Sequence, residues 1–313
     1  MITKEELKES LKKTGYIADQ KTLDAVWISL LTNKPILIEG KPGSGKSSLA
    51  AALAMALNLD FSRVQMYEGL TDDKILYDYD YQKMLIVAEL MKDRINGQYK
   101  DVSINDAIDK MSNELNFYGK GFLIPRPVLS SITGDKRVVL LIDELDKANY
   151  DSEYLLYEFL ENYSITIPQY GTISCPEGKE PIVIITSNGY RELSGPLRRR
   201  CEYLYIPEKT KSELVEILMA RVDISDRLAD AIATCFMKIR NIQLRKQPSV
   251  SEAIDLASYL KQAPNKKLTK EYVMGGLGLI CKNNRDESEI SSVLSDLPSD
   301  VSGETLINDF FSK

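Results

Sequence analysis

The sequence predicts an α/β protein: a parallel-sheet core built around a glycine-rich phosphate loop, followed by an all-helical C-terminal lid. Three features predict it. Apolar runs at Pro35-Ile36-Leu37-Ile38, Val138-Val139-Leu140-Leu141-Ile142 and Ile182-Val183-Ile184-Ile185 read as strands buried on both faces. The first runs into Gly40-Lys41-Pro42-Gly43-Ser44-Gly45-Lys46-Ser47 and then into the helix-forming Ser48-Leu49-Ala50-Ala51-Ala52-Leu53-Ala54. After Pro207 the character changes to amphipathic segments near 211–222, 226–240, 250–262 and 270–282.

Residues 40–47 satisfy G-x-x-x-x-G-K-[ST] in full, in the strand, loop and helix context that the pattern needs. Its glycines let successive backbone N–H groups turn inward around an anion, at a helix N-terminus whose dipole favours negative charge. Lys46 is placed to reach β- and γ-phosphates, and the Ser47 hydroxyl to ligate Mg²⁺. A nucleoside triphosphate is the expected ligand.

The second apolar run ends in Asp143-Glu144. Catalytic groups are expected at the C-terminal ends of parallel strands. Asp143 can hold the Mg²⁺ shell through water, and Glu144 can orient and polarise an attacking water as general base. Hydrolysis, and not binding alone, is therefore expected. The third run leads into Thr186-Ser187-Asn188, where Asn188 can hydrogen-bond the γ-phosphate or the lytic water. Beyond it come Arg191, the cluster Arg198-Arg199-Arg200, and the strand Tyr203-Leu204-Tyr205-Ile206-Pro207. An arginine set against a neighbour's γ-phosphate would stabilise transition-state charge in trans.

This order of motifs resembles the P-loop NTPases of the AAA+ class, and more narrowly the MoxR family. The phosphate loop, Leu140-Leu141-Ile142-Asp143-Glu144-Leu145-Asp146-Lys147-Ala148, Thr186 to Ser194 and Pro196 to Cys201 look like its Walker A, Walker B, first-sensor and arginine-finger segments. Gly15 to Asp19, Tyr67 to Leu70, Asp80 to Gln82 and Lys246 to Glu252 look like the branch associated with carbon monoxide dehydrogenase maturation. The resemblance implies that Gly40, Lys41, Pro42, Gly43, Ser44, Gly45, Lys46, Ser47 and Ser48 hold ATP, that Asp143 serves Mg²⁺, and that Glu144 activates water. It further implies that Asn188 senses the γ-phosphate and that the backbone of Tyr16 and Ile17 contacts adenine. Arg200 is the favoured finger, with Arg198, Arg199 and Arg191 as competitors. One position departs from the pattern: where many relatives carry a second-sensor arginine, Ser249 stands here, in the capping box Ser249-Val250-Ser251-Glu252. By the same resemblance the chain acts as a homo-oligomeric ring, a hexamer, that remodels or matures a protein substrate. A chaperone-like role and a partner carrying a von Willebrand factor A domain go with it. A DNA-directed motor or restriction-type translocase is one alternative; an assembly scaffold gated by nucleotide binding is the other.

Composition agrees. The chain has 313 residues, 43% hydrophobic and 27% charged, ordinary for a globular protein of about two domains. No apolar run is long enough to span a membrane and the N-terminus is unlike a signal peptide, so a cytoplasmic location is expected. The net charge of −6 disfavours a generally basic nucleic-acid surface. With no histidine and four separated cysteines (Cys175, Cys201, Cys235, Cys281), Cys/His zinc sites, histidine triads and disulfide scaffolds are disfavoured.

The expected division is a nucleotide-binding core at 1–207, a lid at 208–283 and a flexible tail at 284–313. Helices precede the first strand, and strand two is expected at Arg63-Val64-Gln65-Met66. An insertion at about 67–130 carries Tyr67, Tyr77, Tyr79 and Tyr81, plus helically spaced Ile104, Ala107, Ile108, Met111 and Leu115. It could pack locally or contact a partner. Ser164 to Ser174 alternates about a turn and reads as a β-hairpin, with Tyr170 near its tip.

Overall fold

The structure, a computed structural model, describes residues 2–90, 116, 118–168, 170–262 and 268–295. Its main sheet is built from β1 (Ile36–Glu39), β2 (Asp60–Gln65), β5 (Val138–Asp143), β8 (Ile182–Ser187) and β9 (Glu202–Tyr205). These five strands are parallel and lie in the order β2, β5, β8, β1, β9. The central strands β5 and β8 are almost wholly buried, as their unbroken apolar runs require. Strand β2 differs from expectation, starting at Asp60 and ending at Gln65. It is an edge strand, so its ladder with β5, from Asp60 opposite Val138 to Gln65 opposite Asp143, can carry solvent-facing polar residues that hydrophobic patterning does not register.

Contacts divide the chain into two compact units. One comprises residues 25–37 and 58–203. Its core gathers Leu140, Ile142, Val183 and Ile185 from the strands with Leu156 and Phe159 from the helix Tyr150–Asn162. The expected hairpin forms, β6 (Ser164–Ile167) pairing antiparallel with β7 (Gly171–Ser174), and the Thr166 and Thr172 hydroxyls meet at 2.9 Å. Within the insertion, β3 (Tyr77–Tyr79) pairs antiparallel with β4 (Leu123–Pro125), and Tyr79 meets Tyr77 and Tyr118 edge-to-face. The helix Tyr81–Leu90 follows and buries none of its side chains. The helical spacing at Ile104 to Leu115 lies outside the described residues.

The other unit comprises residues 1–24, 38–57 and 204–313. Helices Lys211–Val222, Asp226–Ile239 and Val250–Lys261 match the amphipathic segments read from the sequence, and Leu214, Leu218, Ile232, Phe236, Leu256 and Leu260 are fully buried among them. Thr210 and Ser249 both close capping boxes, with Glu213 and Glu252. Residues 284–295, expected as the start of a flexible tail, form a helix instead. Asp286, 1% exposed, ties it to the preceding loop by accepting the backbone N–H groups of Arg245 and Lys246 at 2.8 and 3.0 Å. Short polar side chains fit connectors and helix N-termini alike, which is why composition pointed to a tail. Residues 296–313 lie outside the described part.

Burial raises the thiol pKa of Cys235 to about 12, against the nearby Lys238 charge, and that of Cys201 to about 12, against Arg200. No helix among the described residues is long and apolar enough to cross a membrane.

Candidate active site

Strand β1 delivers the phosphate loop, and the helix Lys46–Leu57 leaves it. Gly43 and Gly45 sit at φ 74° and 96°, where a side chain is strained. A Cβ on Gly43 would lie 2.0 Å from Ser249 Cβ, and one on Gly40 2.4 Å from the Ile206 carbonyl oxygen. Glycine is thus dictated at both places by crowding. Lys46 is 5% exposed, and its ammonium donates to the Gly40 and Lys41 carbonyls at 2.7 and 2.9 Å. Lys41 and Pro42 are exposed, Lys41 pairing with Glu208 at 3.1 Å. The Ser44 hydroxyl is buried with no hydrogen-bond partner among the described residues. Leaving such a group unsatisfied costs about 1–3 kcal/mol, and a phosphate oxygen is the kind of acceptor it lacks. Ser47 occupies the first helical turn, where its hydroxyl can reach a metal bound to phosphate. These residues fit a bound triphosphate.

Beside the loop is a cavity of about 160 Å³. Tyr16, Ile17, Met55, Ile217, Val250 and Ile254 supply most of its apolar wall, and Gly45 and Ser48 line it too. Tyr16 and Ile17, expected at the base, therefore share one concavity with Ser44, Gly45 and Ser48 of the phosphate loop and its helix. Burial, with the Asp19 and Glu213 carboxylates, raises the Tyr16 phenol well above its ordinary range. Tyr16 stays neutral.

At the end of β5, the Asp143 side chain is 2% exposed. Its Oδ1 accepts from Thr186 Oγ1 at 2.5 Å and its Oδ2 from Arg63 Nη2 at 2.5 Å. Glu144 adopts the left-handed conformation, φ 58°, uncommon for a residue with a side chain. Its N–H donates to Thr186 Oγ1 at 2.8 Å. Its carboxylate is held at both oxygens: Oε1 accepts from Asn188 Nδ2 at 2.9 Å, and Oε2 from Gln65 Nε2 at 2.7 Å and Lys147 Nζ at 2.6 Å. The Lys147 bond is the main cause raising that lysine's pKa. Asp146 Oδ2 accepts the N–H groups of Asn188 and Tyr190 at 3.0 and 2.9 Å, setting the backbone that carries Asn188.

Asp143, Glu144 and Asn188 thus form one hydrogen-bonded group. Thr186, Gln65, Lys147 and Arg63 belong to it as well, without a role assigned from sequence. Their signal is spatial: β2 and β8 flank β5, and Gln65 pairs in register with Asp143. Among the described residues no three His, Cys, Asp or Glu side chains gather to hold a metal. Mg²⁺ commonly takes one or two protein ligands and completes its shell with phosphate oxygens and water, so a nucleotide-bound Mg²⁺ needs no such cluster.

The arginines differ sharply. Arg191 is committed locally: it pairs with Glu153, which is buried, donates to the Ala148 carbonyl at 2.8 Å, and lies 4.5 Å from the Tyr150 ring centroid. Arg200 pairs with Glu161 at 2.5 Å, donates to the Pro196 carbonyl at 2.9 Å and stacks over Tyr157. It also lines a polar cavity with Lys34, Glu161 and Glu180. Arg198 lies over Tyr203. Arg199 is exposed.

Residues 36–208, more than half of the chain, match the family model described as the ATPase family associated with various cellular activities (AAA). The chain is 27% identical over 231 residues to a Lon protease of Bacillus thuringiensis (strain Al Hakam), covering 69% of this chain and 24% of that protein. It is 25% identical over 261 residues to Lon protease 1 of Bacillus subtilis (strain 168), covering 77% and 28%. The chain therefore spans about a quarter of the length of these curated relatives. A solved structure of the Thermotoga maritima RuvB Holliday junction branch migration motor is similar with a TM-score of 0.45 and 18% identity, covering 94% of this chain and 75% of that one.

Proposed function

Because the chain belongs to the AAA family of ATPases, we propose that it binds ATP with Mg²⁺ and hydrolyses it to ADP and phosphate. The observation that carries this reading is the Glu144 carboxylate, fixed at 2.9 Å from the Asn188 amide, one residue beyond the buried Asp143. A carboxylate so oriented can accept a proton from water as that water attacks. Asn188, already aimed at the same point, orients the water or the γ-phosphate. Lys46 and the backbone amides of Gly43 to Ser48 hold the phosphates, and Tyr16 and Ile17 face the base. Mg²⁺, held by Ser47 and Asp143, would neutralise charge on the phosphate oxygens.

The working unit in this reading is a homo-oligomeric ring of the MoxR type, a hexamer, in which Arg200 serves a neighbour's nucleotide. It remodels or matures a protein substrate with a von Willebrand factor A domain partner. The ordered set of four motifs supports that branch, as does the −6 net charge, which suits a protein client better than a nucleic acid. The test is phosphate release with and without Mg²⁺, alongside light scattering to measure mass. Mg²⁺-dependent turnover that rises as rings form is expected. A monomer that releases no phosphate would overturn the reading, and stimulation by DNA would reassign the client.

A further inference from the structure

We propose that Arg221, on the helix Lys211–Val222, is a specificity-determining residue of the base cavity, its guanidinium stacking on the base of a bound purine nucleotide. The proposal rests on the nucleotide-binding reading above and deepens it.

Among the described residues, two cationic side chains line the cavity, Lys209 and Arg221. Lys209 is 7% exposed and committed to Glu213 at 3.1 Å. Arg221 is exposed, and among the described residues its guanidinium makes one long hydrogen bond, 3.4 Å to the Thr14 carbonyl. It keeps donors and a planar face for a ligand. Its aliphatic stem is not free to wander. Arg221 Cδ lies 2.8 Å from where a Cβ on Gly15 would stand, and Gly15 has φ 79°. The missing side chain at Gly15 is the slot in which the arginine stem rests, directly before Tyr16. The rest of the wall is largely apolar, from Ile17, Met55, Ile217 and Ile254, and suits the face of a flat heterocycle. A delocalised guanidinium stacks on such a face, whereas an ammonium on a flexible stem does not reproduce the planar contact.

The experiment titrates wild type, Arg221→Ala and Arg221→Lys with ATP and with inorganic tripolyphosphate, which has the charge but no base. Arg221→Ala is expected to weaken ATP about tenfold while leaving tripolyphosphate within about twofold, with Arg221→Lys falling between. Gly15→Ala, which displaces the stem, should shift ATP in the same direction. ATP affinity unchanged in Arg221→Ala would overturn the proposal. Equal weakening of both ligands would also overturn it, since the arginine would then act on phosphate. Wild type that binds neither ligand would sink the nucleotide reading itself, a distinguishable result. Melting temperatures matching wild type exclude loss of fold; should Arg221→Ala melt early, the Arg221→Lys comparison decides.

Discussion

Asn188 Nδ2 donates to Glu144 Oε1 at 2.9 Å, so the polar end of β8 and the acidic end of β5 are one hydrogen-bonded object. The same carboxylate is held on its other oxygen by Gln65 and Lys147. A glutamate restrained from three directions is aimed.

Glu144→Gln is expected to keep ATP binding within about threefold and to lower turnover by about 10²–10⁴, the range for a lost general base. Phosphate release measured beside equilibrium nucleotide binding checks both. Turnover at the wild-type rate would remove Glu144 from the role.

Thr186→Val tests the hydroxyl that donates to Asp143 and accepts from the Glu144 N–H. It leaves a buried carboxylate oxygen and a backbone donor each short of a partner, at about 1–3 kcal/mol. Both a lower melting temperature and a higher Mg²⁺ requirement for turnover are expected. A fully stable variant with an unshifted Mg²⁺ titration would contradict this account.

Arg200→Ala is expected to bind nucleotide normally while losing turnover by about 10³ or more. Mixing it with Glu144→Gln subunits should restore some activity if the arginine serves a neighbour. In this structure Arg200 holds Glu161 on an accessible surface, where such pairs contribute little, so release toward a neighbour is inexpensive. If Arg199→Ala loses activity and Arg200→Ala does not, the exposed Arg199 is the finger.

Gly43→Ala combines a left-handed backbone with a Cβ 2.0 Å from that of Ser249. Loss of nucleotide binding and a lower melting temperature are expected together. Calorimetry and a binding titration check the pair of effects.

The packing of the helix Asn284–Ser295 should weaken in acid. Burial opposes ionisation of Asp286, but the N–H groups of Arg245 and Lys246, the Asn283 amide and the Arg245 charge outweigh it and hold its pKa below the usual value. Because the folded-state pKa is the lower one, its contribution is complete above about pH 4 and is lost as pH falls through the depressed value. Melting curves from pH 7 downward should show that loss, and Asp286→Asn should flatten it.

Much of this was legible in the chain, and for identifiable reasons. The phosphate loop and the strands β1, β5 and β8 announce themselves because burial on two faces demands unbroken apolar runs and because a phosphate cradle demands glycine at fixed places. The Ser249 capping box was equally plain, since Ser249 with Glu252 satisfies a helix N-terminus through local chemistry. What escaped depends on neighbours distant in sequence. Gln65 and Arg63 reach the carboxylates because β2 lies beside β5, and Asp286 stabilises a loop 40 positions before it. The individual fates of Arg191 and Arg200 were likewise invisible, because their partners Glu153 and Glu161 stand 38 and 39 positions earlier on another helix.

The buried Cys235 thiol has a practical corollary. With a pKa near 12, Cys235 is almost entirely protonated at neutral pH, and alkylating reagents react with thiolate. It will be labelled when its surroundings open, so the rate of its modification times the breathing of its own unit without any introduced probe.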